Sequence, residues 1–79
     1  MKKIFLLTSA TCGPCYTIKS KIKADNLKVE VLDFTNPSNI DFFRKHNIKS
    51  VPRLLVEDGD NVEIVQGMDE IIKAIKENQ

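Results

Sequence analysis

The hydrophobic pattern begins with an almost unbroken apolar run. Lys3 to Thr8 predicts a strand buried on both faces, and Thr8 to Thr11 reads as a small polar loop. From Gly13 to about Asn26 the pattern changes to helical spacing. Cys15, Ile18 and Ile22 form the inner face, while Lys19, Lys21 and Lys23 fall mostly on the other side. Pro14 sits in the first turn, where a missing N–H costs nothing, and Asn26 is the expected stop. Lys28 to Phe34 alternates and then turns apolar, which predicts a second strand. Strand, helix, strand at this spacing is a βαβ unit, with parallel strands and a right-handed crossover.

Asn36-Pro37-Ser38 opens a second helix, with a capping residue followed by Pro at the first position. Ile40 and Phe43 are expected to face inward, with Phe42 half-covered. Arg44, Lys45 and His46 close the helix at its negative end. Ile48 anchors the next loop, and Ser50-Val51-Pro52 leads into a third strand, Arg53 to Glu57. Asp58 to Asn61 is a hairpin turn, Val62 to Gln66 a fourth strand, and Gly67 its break. A last helix runs from Met68 to about Glu77, with Ile71, Ile72 and Ile75 as its apolar stripe. The order β-α-β-α-β-β-α, without repeats or low-complexity segments, predicts one α/β domain over residues 1–79. The expected architecture is a four-stranded mixed sheet with helices on both faces and the first strand central.

A chain of 79 residues is near the lower limit for unaided folding, so a regular fold is expected. Twelve basic against 11 acidic residues, a net charge of +1, give no electrostatic case for nucleic acid or an acidic membrane surface. No apolar run approaches the roughly 20 residues of a membrane helix. Met1 to Leu7 begins like a secretory signal, but its apolar core stops after Ile4-Phe5-Leu6-Leu7, short of the usual 7–15 or so. The chain is therefore expected to be cytoplasmic. There, lone structural disulfides are uncommon and closely spaced cysteines point to redox or metal chemistry.

Both cysteines lie in Thr11-Cys12-Gly13-Pro14-Cys15, at the strand-to-helix turn. Thiol–disulfide exchange needs an attacking thiolate, a second thiol close enough to resolve the mixed disulfide, and access for a partner. Cys12 falls at the helix N-terminus, where unpaired N–H groups and the dipole favour a thiolate. Such placement brings a cysteine pKa from ~8.5 into the ~3.5–7.5 range. Cys15, one turn further on the inner face, suits a resolving thiol. Gly13 permits a tight backbone and close approach of a partner, and Pro14 stiffens the turn. Three other readings stand beside this one. Zinc needs four ligands, and the only other soft donor is His46, distant and in another element. A structural disulfide this short would constrain little. Two inert cysteines would leave Cys12 in a polar loop without purpose.

Cys12-Gly13-Pro14-Cys15 after a first strand, with Ser50-Val51-Pro52 before a third, resembles the thioredoxin superfamily over essentially the whole chain. The resemblance implies that Pro52 is a cis-proline beside the dithiol and that the Val51 backbone pairs with a substrate peptide. Otherwise Pro52 simply starts a strand. It also implies that Gly67 keeps a substrate groove open. The short frame resembles glutaredoxins and the glutaredoxin-like hydrogen donors of ribonucleotide reductase. By that likeness Gly67-Met68-Asp69-Glu70 is a glutathione-holding turn, with Asp69 on a charged end of glutathione and Arg53 on a carboxylate. Helix capping is the alternative for Asp69, and an ordinary edge charge for Arg53. Thioredoxins carry Trp where this chain has Thr11 and bury an Asp where it has Leu6. Glutaredoxins usually have Tyr where it has Pro14; here Tyr16 follows the motif, as a partly covered surface aromatic.

The expected function is reduction of protein disulfides by the Cys12/Cys15 dithiol, as a monomer with no metal or organic cofactor. Electrons would come from a thioredoxin reductase or from glutathione. The alternatives are a glutathione-dependent glutaredoxin or hydrogen donor and, in another class, a metal- or cluster-binding module.

Overall fold

In the computed structural model, which describes residues 2–79, the first strand carries core on both sides. Along β1 (Lys2–Thr8), Leu6 faces one layer and Leu7 the other, and both are fully buried. The other elements are α1 (Gly13–Ala24), β2 (Glu30–Asp33), α2 (Ile40–Lys45) entered through a 3-10 turn Pro37–Asn39, β3 (Arg53–Asp58), β4 (Asn61–Val65) and α3 (Met68–Glu77). The sheet order is β2-β1-β3-β4, so β1 is central as expected. β1 and β2 run parallel with Leu6 beside Val31, and β3 lies antiparallel to both β1 and β4.

The two layers differ in depth. α1 and α3 cover Leu6, Leu54 and Val56 with Ile18, Ile71 and Ile75. On the opposite face, Phe43 of α2 and Ile48 cover only Leu7 and Leu55, with Phe5, Leu32, Phe42 and Val51 at the margin. Burying each such side chain stabilises by about 1.5–3 kcal/mol. The α1/α3 layer, which carries the two cysteines, is therefore the stronger anchor.

Both α1 and α2 end on an asparagine in the left-handed conformation, Asn26 (φ 52°) and Asn47 (φ 55°). Leu27 N–H donates to the Ile22 carbonyl at 2.9 Å, and Ile48 N–H to the Phe43 carbonyl at 2.9 Å. These are Schellman closures with an apolar residue after the asparagine. At the hairpin, Gly59 has φ 62°, the first central position where a tight loop favours glycine.

The structure moves several boundaries. β1 starts one residue earlier, α1 stops at Ala24, and β2 is shorter at both ends than Lys28 to Phe34. Asn36 caps as expected, its side chain accepting from Ser38 N–H at 3.0 Å, but the first turn is 3-10. That tighter turn changes the phase of the helix. Ile40, expected inward, is 41% exposed and borders an open apolar groove with Phe34, Phe43, Arg44 and Ile48. β4 has no helix over the face shared with α2, which leaves Val62 and Ile64 exposed. No helix among the described residues is long and apolar enough to cross a membrane.

Candidate active site

At the end of β1 the chain turns through Ser9 to Thr11 into α1. The turn is closed on itself. Cys12 N–H donates to the Ser9 carbonyl at 3.2 Å, Thr11 N–H to Ser9 Oγ at 3.3 Å, and the Ser9 and Thr11 hydroxyls lie 3.2 Å apart. Thr11 thus braces the loop where thioredoxins present a Trp. Cys12 is the N-cap of α1, with extended backbone (φ −91°, ψ 112°). Its sulfur accepts the Cys15 N–H at 3.2 Å, and its carbonyl accepts the Tyr16 N–H at 3.3 Å. Pro14 removes one of the helix's first N–H groups, and Cys12 Sγ takes the next.

Cys12 and Cys15 are joined as a disulfide with their Cα atoms 5.2 Å apart. Cys12 is half-buried and Cys15 fully buried, so a partner meets the pair from the Cys12 side. A Cβ on Gly13 would meet no atom within 4 Å, and its φ lies outside the left-handed region. Gly13 thus needs no left-handed backbone; it spares a Cβ that would crowd Pro14 and leaves open surface beside Cys12. Tyr16 is 74% exposed, more so than the partly covered aromatic expected.

The Val51–Pro52 peptide is cis, as the resemblance implies. Val51 packs its side chain against the α2-side core. Arg53 turns back over this loop, its Nη1 donating to the Pro52 carbonyl at 2.7 Å and its Nη2 to Ser50 Oγ at 2.8 Å. One N–H on each terminal nitrogen of the guanidinium is engaged on its own loop, which leaves three of the five donors without a bond among the described residues. The sequence singled out Arg53 for charge; its bonds to its own neighbours carry no signal in sequence spacing.

The last turn the sequence marked behaves differently. Gly67 is the N-cap of α3 with φ 93°, a conformation that favours glycine, and a Cβ there would meet only the Glu70 side chain at 3.8 Å. Its requirement is conformational rather than steric. Asp69 is exposed in the first turn, and no side chain caps α3. Neither residue is tied to the dithiol by a hydrogen bond.

Two features escaped the sequence reading. Thr8, the last residue of β1, is fully buried, and its hydroxyl has no partner among the described residues. The signal available was a polar side chain two residues after Leu6, on the same strand face. Asp33, in register with Thr8, has its carboxyl held below the ordinary value by the Thr35 hydroxyl at 2.6 Å, helped by the Thr35 N–H and the Lys19 charge. Among the described residues no group of three or more His, Cys, Asp or Glu converges as a metal site.

No family model matches the chain, and no curated protein matches it. Solved structures do. Thioredoxin O2 from Arabidopsis thaliana, in its oxidised state, is 24% identical, with a TM-score of 0.73 over 99% of this chain and 74% of that one. A chain from the complex of ferredoxin:thioredoxin reductase with thioredoxin f2 is 21% identical, with a TM-score of 0.74 over 98% and 76%. Maleylacetoacetate isomerase from Anaeromyxobacter dehalogenans 2CP-1, with GSH bound in its active site, is 15% identical, with a TM-score of 0.66 over 98% of this chain and only 38% of its own. The element order, the sheet order and these likenesses agree: the chain is a thioredoxin-fold protein whose Cys12–Cys15 disulfide caps its first helix.

Proposed function

We propose that the protein is a thiol–disulfide oxidoreductase that reduces disulfides in other proteins. One observation carries the reading: the disulfide joins a half-buried N-cap sulfur, already accepting a helix N–H, to a fully buried sulfur one turn on. In the reduced protein the same N–H and the helix dipole stabilise the Cys12 thiolate. That thiolate attacks a substrate disulfide, forming a Cys12–substrate bond and releasing one substrate thiolate. Cys15 then gives up its proton and attacks Cys12 Sγ. The Cys12–substrate bond breaks, the second substrate sulfur leaves and is protonated, and Cys12–Cys15 is restored. The substrate gains two electrons and the dithiol loses them.

In this scheme the Val51 backbone offers an edge to the substrate peptide, beside Pro52, with Thr11, Gly13 and Pro14 forming the approach to Cys12. Gly67 shapes the far rim. Electrons return from a dithiol reductase, and no cofactor is held by the chain. Two observations favour a protein reductase over glutathione. Arg53 is bonded twice to its own loop, and a matching chain comes from a complex with ferredoxin:thioredoxin reductase. The glutathione-linked reading keeps two supports, the exposed Asp69 at the uncapped start of α3 and a matching chain with GSH bound in its active site. The proposed setting is a monomer in the cytoplasm, where a reducing pool keeps the dithiol charged.

The test is turnover of a protein disulfide with two electron sources in parallel, a thioredoxin reductase with its reductant and glutathione with glutathione reductase. Turnover with the first and not the second is expected. Turnover with glutathione alone would transfer the protein to the glutaredoxin class. Stoichiometric zinc or iron shielding both thiols from alkylation, in protein purified without air, would support the metal-binding alternative instead.

A further inference from the structure

Thr8 is fully buried, its carbonyl accepts the Phe34 N–H at 2.7 Å, and its hydroxyl has no partner among the described residues. A buried hydroxyl in that state carries a cost that a valine of the same shape would not. Its position follows from the topology. β1 and β2 are parallel, so α1 between them runs back against β1. Leu6 and Ile18 pack in one cluster between strand and helix. Two residues along β1 from Leu6, on the same face, is Thr8. One turn back along α1 from Ile18, on the same face, is Cys15. Thr8 and Cys15 therefore form the next layer of the same interface, and both are fully buried.

We infer that Thr8 is a positioning residue for the resolving thiol, its hydroxyl donating a hydrogen bond to Cys15 sulfur once the disulfide opens. This rests on the reading of Cys12 and Cys15 as a reactive pair. A disulfide sulfur is a weak acceptor, whereas a thiolate is a strong one. In the oxidised protein the hydroxyl is unpaired; in the reduced protein it has a partner. During resolution the Cys15 proton ends on the departing substrate sulfur, and Thr8 keeps its own proton while stabilising the charge on Cys15. With Leu6 in place of a buried carboxylate, the hydroxyl is the polar group this layer offers. The charged groups at this end of the fold are Lys19 on α1, Asp33 beside Thr8 on β2, Arg53 beside Leu7 on β3, and Asp69 and Glu70 on α3. All are partly or fully exposed and none changes when Thr8 is replaced, so they form a constant background.

The test compares Thr8→Val and Thr8→Ser in the full chain. In a glutathione redox buffer held above the pH at which Cys15 titrates, Thr8→Val is expected to shift the dithiol–disulfide equilibrium about tenfold toward the disulfide, and the shift should shrink below that pH, where Cys15 is a thiol and a weak acceptor. In a Cys12→Ser background, the thiolate absorbance of Cys15 should rise at a pH about one unit higher when Thr8 is Val. Oxidised Thr8→Val should melt no lower than the wild type, because it loses an unpaired hydroxyl. Thr8→Ser should restore the equilibrium and the titration. If Thr8→Val does not fold, Thr8→Ala supplies the same readings. Wild-type equilibrium and titration without the hydroxyl, or Thr8→Ser behaving like Thr8→Val, would overturn the inference. These readings need no protein substrate. A wild type that reduces no protein disulfide, yet shows the Thr8 effect, would overturn the proposed function and leave this inference standing.

Discussion

Two turns in this molecule bring the chain into a helix at a site the sequence marked, and they are built differently. At the start of α1, a cysteine sulfur takes a helix N–H, a proline removes another, and a disulfide closes the turn. At the start of α3, Gly67 holds a positive φ, no side chain caps, and Asp69 and Glu70 supply charge alone. The first turn is fixed by bonds to specific atoms; the second is held by one backbone conformation and softened by charge near the helix dipole. Fixed geometry is what exchange between two sulfurs requires. In the proposed function the chemistry therefore belongs to α1, and the α3 turn is a rim.

The largest effect should come from removing the sulfur. Cys12→Ser is expected to bring turnover of a protein disulfide to background, while circular dichroism shows the fold retained. Full activity in that variant would place the chemistry elsewhere. Next come the two glycines, which the account separates. Gly67→Ala forces a strained backbone and should cost about 1–3 kcal/mol in denaturant unfolding. Gly13→Ala meets no atom beyond its chain neighbours, but its Cβ would crowd Pro14, so it should cost less than Gly67→Ala, under about 1 kcal/mol. Equal losses at the two positions would erase the contrast between the turns.

A smaller effect is expected at Arg53. Arg53→Ala frees the Ser50–Pro52 loop, and the KM for a protein disulfide should rise several-fold, consistent with about 1 kcal/mol per lost hydrogen bond. Reduction of a small disulfide should not change, and Asp69→Asn should leave both unchanged. A KM effect of Asp69→Asn confined to glutathione would instead restore the α3 turn as a binding site.

The smallest effect concerns acid stability. The Asp25 carboxyl is held below the ordinary value by the Lys21 hydrogen bond, with Lys21 and Lys76 charges adding to it; its ion pair with Lys21 at 3.1 Å stays at the end of α1, and the one with Lys76 at 3.7 Å ties that end to α3. Its contribution is fully present above its unfolded pKa and is lost as pH falls through the folded value, so its loss shows only below about pH 4. Because the group is exposed, Asp25→Asn should flatten the acid limb of the stability curve only slightly.

Local chemistry made much of this legible in the sequence. The face-switching of Leu6 and Leu7, the stripe of Ile71 and Ile75, the stop at Asn26 and the cap at Asn36 all follow from periodicity and capping. The Cys-Gly-Pro-Cys turn and the Val51–Pro52 bond followed from motif and resemblance. Other features depend on what covers what. Ile40 turned outward because the helix began as a 3-10 turn, and Val62 and Ile64 stayed exposed because no described helix reaches over the face β4 shares with α2. Asn47 closes α2 as Asn26 closes α1, but a cluster of charges before it hid the signal. The burial of Thr8 and the inward fold of Arg53 are tertiary facts, set by α1 lying over the strand end and by one loop's carbonyl and hydroxyl.

The central claim is that Cys12 attacks and Cys15 resolves, and trapping tests it most directly. Reduced Cys15→Ser protein mixed with a disulfide-bearing protein should accumulate a covalent one-to-one adduct, with peptide mapping joining Cys12 to a substrate cysteine. Reductant should release it, and Cys12→Ser should form none. An adduct that forms on Cys15 in the Cys12→Ser variant, or no adduct from Cys15→Ser at all, would contradict the account.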